Sequence, residues 1–291
     1  MTHSEPASDE AVTAALASLT PLPSEYRDLF SNVRAACVAD ARIRAAWLGG
    51  SVARGEADAG SDLDVLLAID DDLFDDFAAG WRDWLAAVSP TLLAQELPGM
   101  PGSFAATTVA CLRLDVVTEP VSSLETSPYR TRQVVMDRDG LDEQVPSPAE
   151  LQQPDPAGIR AVVDEFYRQQ AIFPAAVVAR ADWLQGVVAV HQTQLLLYQL
   201  FVACNAPLPA MGVKQWSSRL TAHQRGVLAE LLAPTAEPGR VVTAMVTAGA
   251  AFREHGRAAV EALGLQWPLD VDAAVDDYWR RQGLPSTLPS P

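Results

Sequence analysis

The hydrophobic periodicity of the chain changes once, at a segment with four prolines between positions 144 and 156. Before it, short apolar runs rich in Val, Leu and Thr alternate with segments whose apolar residues recur every three to four positions. After it, only the three-to-four-residue recurrence is found. Such a chain cannot form a single sheet, nor a single helical bundle. It is expected to fold as an α/β N-terminal domain, a small mixed sheet with flanking helices over residues 1–150, followed by an all-α helical bundle over residues 151–291. A length of 291 residues suits two domains. The proline-rich segment reads as the linker.

In the first half, residues 24–40 read as an amphipathic helix through Tyr26, Leu29, Phe30, Val33 and Cys37. Residues 43–48 read as a buried strand that runs into Gly49 and Gly50. A second strand is expected over 62–69 and an amphipathic helix over 73–88. Residues 104–118 read as one long strand or two short ones, and 132–136 as a further strand. The first dozen residues read as a disordered tail. In the second half, helices are expected over 156–173, 176–205, 217–232, 240–263 and 271–281, with 183–204 as the apolar central helix. No uninterrupted run of about 18 apolar residues occurs, so no membrane span is expected.

The stretch from Gly49 to Asp64 carries the chemistry. A strand ends in Gly49-Gly50-Ser51, and ten residues later the next strand opens with Asp62-Leu63-Asp64. Glycines let an anion approach the backbone, and the N–H groups of a helical turn with the Ser51 hydroxyl suit a phosphate. Arg54 lies on the same turn and is a second candidate for a phosphate oxygen. Alternation along a strand puts Asp62 and Asp64 on one face. Two like charges side by side are a poor structural device, but they suit Mg²⁺, which takes hard oxygen ligands and shares its shell with substrate phosphates. Asp115 sits in the middle of the strand-like run Leu112 to Val117, where an unpaired carboxylate is costly. It can be a third metal ligand, a general base, or both in turn.

This arrangement resembles the polymerase-β-type nucleotidyltransferase superfamily, whose pattern is Gly-Ser, about ten residues, Asp-x-Asp, and a later acidic residue on a neighbouring strand. The resemblance implies that Asp62, Asp64 and Asp115 are catalytic and bind Mg²⁺, and that Gly50 and Ser51 hold a nucleoside triphosphate. The second half resembles, more loosely, the helical domain of aminoglycoside and lincosamide adenylyltransferases. There a long helix is followed by a turn with proline and then a lysine, here Pro207-Leu208-Pro209 and Lys214. The implied reaction moves a nucleoside monophosphate, AMP from ATP, onto a hydroxyl of a small molecule.

Composition narrows the acceptor. Asp plus Glu total 37 and Lys plus Arg total 21, a net charge of −16. Such a surface repels phosphate backbones and suits a cationic partner, so no nucleic acid is expected; taken with the resemblance, which implies a small-molecule modifier, an aminoglycoside-like antibiotic is the leading acceptor. Lys214 is the one lysine in a chain whose other basic residues are all arginine. A compact ammonium is not interchangeable with a guanidinium at a tight phosphate site, so Lys214 is expected to touch the triphosphate. Three scattered cysteines and a polar N-terminus without a signal-peptide pattern point to the cytoplasm. Either a monomer or a homodimer fits. The alternative reading is a protein-modifying nucleotidyltransferase of antitoxin type acting on a partner toxin.

Overall fold

The computed structural model describes residues 9–148, 154–205 and 217–285. The chain divides into two compact units, Met1–Glu150 and Leu151–Pro291.

The first unit is built on a six-stranded mixed sheet of order β3-β4-β5-β2-β1-β6. Its elements are α1 (Asp9–Ser18), α2 (Glu25–Ala39), β1 (Ile43–Leu48), α3 (Gly50–Ala53), β2 (Leu63–Ile69), α4 (Phe74–Val88), β3 (Thr91–Glu96), β4 (Phe104–Thr108), β5 (Arg113–Pro120) and β6 (Gln133–Asp137). Only the β2–β5 pair is parallel. A parallel neighbour needs a long crossover, here supplied by α4 and the β3–β4 hairpin.

The two faces of the sheet differ. Leu63, Val65, Leu67 and Ile69 of β2 join Leu114 and Val116 of β5 in packing against α2 and α4. The helices answer with Tyr26, Leu29, Phe30, Val33 and Cys37 from α2 and Phe77, Trp81, Trp84, Leu85 and Val88 from α4. Burying each such side chain contributes about 1.5–3 kcal/mol. The opposite face carries Ala45, Trp47, Leu66 and Ala68, covered by Leu124, Leu141 and Val145 from 3₁₀ turns and the segment beyond them. In the seven residues of β2 only Asp64 is not buried.

Arg42 ties the helical layer to the sheet. It forms a bidentate pair with Asp40 at 2.7–3.2 Å, reaches Asp76 at 2.7 Å and lies 5.1 Å from the Phe77 ring centre. Burial pushes the Asp40 carboxyl up, but the hydrogen bonds from Arg42 outweigh it and hold its pKa below the usual value.

The second unit contains α5 (Pro156–Phe173), α6 (Trp183–Asn205), α7 (Ala222–Ala229), α8 (Pro238–Ala251), α9 (Arg257–Glu261) and α10 (Leu269–Arg281). Asp155 caps α5 by accepting from the N–H groups of Ala157 and Gly158. Thr221 and Gln224 form a capping box on α7. The core gathers Phe166, Leu197, Leu200, Phe201, Met245, Phe252 and Trp279. By length and apolarity α6 passes for a membrane span. Its buried side chains, among them Val190, Leu197, Leu200 and Phe201, belong to the core of the unit.

Several expectations are corrected. Residues 9–12 lie in α1, whose Ala15 is fully buried and joins the core, so this part is not a tail. Of the two readings of 104–118, the structure has the two short strands, because Cys111 at φ 59° turns the chain between them. β3 was not expected from its pattern, since Leu92 and Leu93 are both exposed and do not alternate. The expected helix over 176–205 is interrupted at Ala181, which has φ 53°.

The Asp40–Arg42 pair is stabilising while Asp40 is ionised. Its folded pKa is depressed, so the contribution is present above the unfolded carboxylate value of about 4 and fades as pH falls through the folded value. Asp40→Asn is expected to lose about 1–2 kcal/mol at pH 7 and progressively less towards pH 3, as read by denaturant unfolding at each pH.

Candidate active site

β1 delivers the chain to the site. The Gly49 N–H donates to the Asp64 carbonyl at 2.9 Å, which fastens the turn to the start of β2. Gly50 then takes a left-handed φ of +56°, and a Cβ there would lie 1.7 Å from Asp64 Oδ2. Glycine is therefore required twice at position 50, by backbone conformation and by the carboxylate packed on it. Ser51 follows on α3, while Val52 plugs the core at 3% exposure. The Ser51 hydroxyl oxygen is buried without a hydrogen-bond partner. An orphaned hydroxyl costs about 1–3 kcal/mol, which a ligand oxygen would offset.

The carboxylates come from two strands. Asp62 immediately precedes β2 and Asp64 is its second residue, so both project to one face. The parallel register sets Asp64 directly beside Asp115 of β5. Ligand oxygens of Asp62, Asp64 and Asp115 lie within 4.8 Å of one another. Asp62 is buried, and the other two are partly exposed. Charges at that separation repel by roughly 3 kcal/mol per pair at an effective dielectric of about 20. A cluster of hard, anionic oxygens with one accessible side fits a divalent cation.

The sequence pattern did not mark Arg113, which lies at the same place. It opens β5, two residues before Asp115 and on the same face. Its Nη1 is 3.8 Å from Asp62 Oδ2, and its Nη2 donates to the Gly60 carbonyl. The side chain stays 45% exposed, so the guanidinium stands at the rim of the cluster. The i, i−2 spacing from Asp115 was the available signal. Arg54 follows α3, and its Nε donates to Glu56 at 3.0 Å. Lys214, with the Pro207-Leu208-Pro209 turn, lies outside the described residues.

No curated protein matches the chain. Among solved structures, the crystal structure of an aminoglycoside 6-adenyltransferase from Bacillus subtilis is similar over 88% of this chain and 96% of that one, at 17% identity and a TM-score of 0.40. Residues 31–93 match the family model of the nucleotidyltransferase domain. The matched stretch runs from α2 to the start of β3 and includes Gly50, Ser51, Asp62 and Asp64. Residues 31–93 thus carry a nucleotidyltransferase-domain motif, and the fold adds Asp115 to it in register with Asp64.

Proposed function

We propose that the chain transfers AMP from ATP to a hydroxyl of a cationic small molecule of the aminoglycoside kind, with Mg²⁺, in the cytoplasm. The observation that carries this reading is the convergence of three carboxylates beside a glycine-serine turn whose hydroxyl lacks a partner. The net charge of −16 supports a cationic acceptor over a nucleic acid. The second, helical unit supports a small-molecule modifier, because the nucleotidyltransferase domain accounts for only part of the chain.

In this reading Asp62, Asp64 and Asp115 hold Mg²⁺, which when bound supplies charge neutralisation on the phosphate oxygens. Ser51 donates its hydroxyl hydrogen to a phosphate oxygen, and the Gly50 turn lets the triphosphate approach the backbone. Arg113 meets the β- and γ-phosphates from the rim and stabilises the charge that collects there. Lys214 is a further triphosphate contact on sequence grounds, and Arg54 a secondary one. Asp115 takes the proton from the acceptor hydroxyl. The acceptor oxygen forms a bond to the α-phosphorus, the bond from the α-phosphorus to the bridging oxygen breaks, and pyrophosphate leaves with the electron pair.

Four outcomes follow from this reading. Incubation with Mg²⁺, each ribonucleoside triphosphate and a panel of antibiotics is expected to add the mass of AMP to a cationic member. Asp64→Asn is expected to abolish the adduct while leaving the unfolding temperature at or above that of the unmodified chain, since one repulsion is removed. Transfer retained by that variant would sink the assignment, and label appearing only on a protein would favour the antitoxin-type reading. Gly50→Ala is expected to lower kcat/KM by about 100-fold, because the methyl displaces the Asp64 carboxylate. Arg113→Met is expected to raise the nucleotide KM about tenfold, with partial recovery in Arg113→Lys.

A further inference from the structure

The face of the sheet that bears the carboxylates continues beyond them. Asp115, Val117 and Glu119 of β5 share that face and align with Asp64, Leu66 and Ala68 of β2. Glu119 thus lies about 13 Å along the strand from Asp115, at the ordinary rise per residue. The Glu119 carboxylate accepts a hydrogen bond from the Ser127 hydroxyl at 2.7 Å. No cation among the described residues forms an ion pair with it.

Glu119 lines a narrow pocket with Trp47, Ser127, Tyr129 and Arg132, with room for one group the size of a water molecule. Arg132 is committed elsewhere, since its guanidinium donates to the Asp142 carboxylate at 2.7 Å and to the carbonyls of Asp142 and Val145. Burial pushes the Glu119 pKa up. The Tyr129 phenol is raised first by burial and then by the negative charges of Glu119 and Asp64. Tyr129 therefore lies within the field of both the pocket and the carboxylate cluster. A half-buried carboxylate without a counter-ion, walled by two aromatic rings, is an unfinished electrostatic arrangement. A small cation completes it through a charge-assisted hydrogen bond and contact with the rings.

We propose that Glu119, with Ser127 and Tyr129, forms an ammonium-binding subsite that seats one amino group of the acceptor while its hydroxyl lies at Asp115. This rests on the proposed function and adds a geometric rule to it. A primary ammonium matches the space, whereas a guanidinium or a quaternary ammonium exceeds it. The favoured acceptor carries an amine about 10–13 Å from the hydroxyl that is modified.

Two measurements on the full-length chain test the subsite. In the first, isotope-labelled protein is titrated with methylammonium chloride against sodium chloride at equal ionic strength. Saturable shifts are expected at the backbone amides of Glu119, Ser127 and Tyr129, and are expected to vanish in Glu119→Gln and with tetramethylammonium. Their absence from the unmodified chain overturns the proposal. In the second, an aminoglycoside is compared with its N-acetylated form as acceptor. Glu119→Gln is expected to raise KM for the amine form at least about tenfold, to leave KM for the acetylated form unchanged, and to spare ATP affinity. An unchanged KM for the amine form, or a loss of ATP binding, overturns it. Tyr129→Phe keeps the ring and serves as a milder second variant, with a smaller rise in KM. The titration needs no transfer, so an inactive chain that still binds methylammonium counts against the proposed function alone.

Discussion

Three carboxylates whose oxygens lie within 4.8 Å of one another repel, and the fold of the first unit is arranged to hold them together regardless. The register of β2 against β5 is the device that does so. A shift of one residue would send Asp115 to the helical side and Val116 to the site. That shift is prevented from behind, where Leu63, Val65, Leu67, Leu114 and Val116 are packed against α2 and α4. The apolar face therefore sets the geometry of the acidic face. The glycine turn depends on the same register, because Gly49 donates to the Asp64 carbonyl and Gly50 lies under the Asp64 carboxylate.

The repulsion and the orphaned Ser51 hydroxyl are two faces of one condition. Both are costs in the protein alone, and in the proposed reading both would be offset by a divalent cation and a phosphate oxygen arriving together. Arg113 offsets part of the cost from one side, 3.8 Å from Asp62. Its guanidinium stays exposed, so it remains open to an incoming anion. In the proposed reading, binding and catalysis draw on the same preorganised charges.

Much of this arrangement was legible in the sequence because it is local. The strand 43–48, the turn at Gly50 and the alternation of Asp62 and Asp64 are short-range patterns, and the structure places them as read. Asp115 was legible as a carboxylate in an apolar run, and the resemblance implied a neighbouring strand, but the parallel register that sets it beside Asp64 was not legible, since such pairing joins residues far apart in sequence. Arg113 and Glu119 were missed for the same reason. Each gains meaning only from its position two residues before or four residues after Asp115 on the shared face. The edge strand β3 escaped notice because both Leu92 and Leu93 are exposed, which breaks the two-residue rhythm. In the second unit the helices followed from their periodicity, while the breaks at Ala181 and at the π turn Phe252–Gly256 had no sequence signal beyond ordinary residues.

In the proposed reading the carboxylates and the glycine-serine turn together form one metal–triphosphate site. That site is tested most directly by a crystal structure of the chain with Mn²⁺ and a non-hydrolysable ATP analogue, with the metal located by anomalous scattering. An anomalous peak is expected about 2.1 Å from oxygens of both Asp62 and Asp64. The triphosphate is expected against Gly50, with one oxygen accepting from the Ser51 hydroxyl. Metal and nucleotide bound elsewhere, with the three carboxylates left without the ion, would contradict the reading.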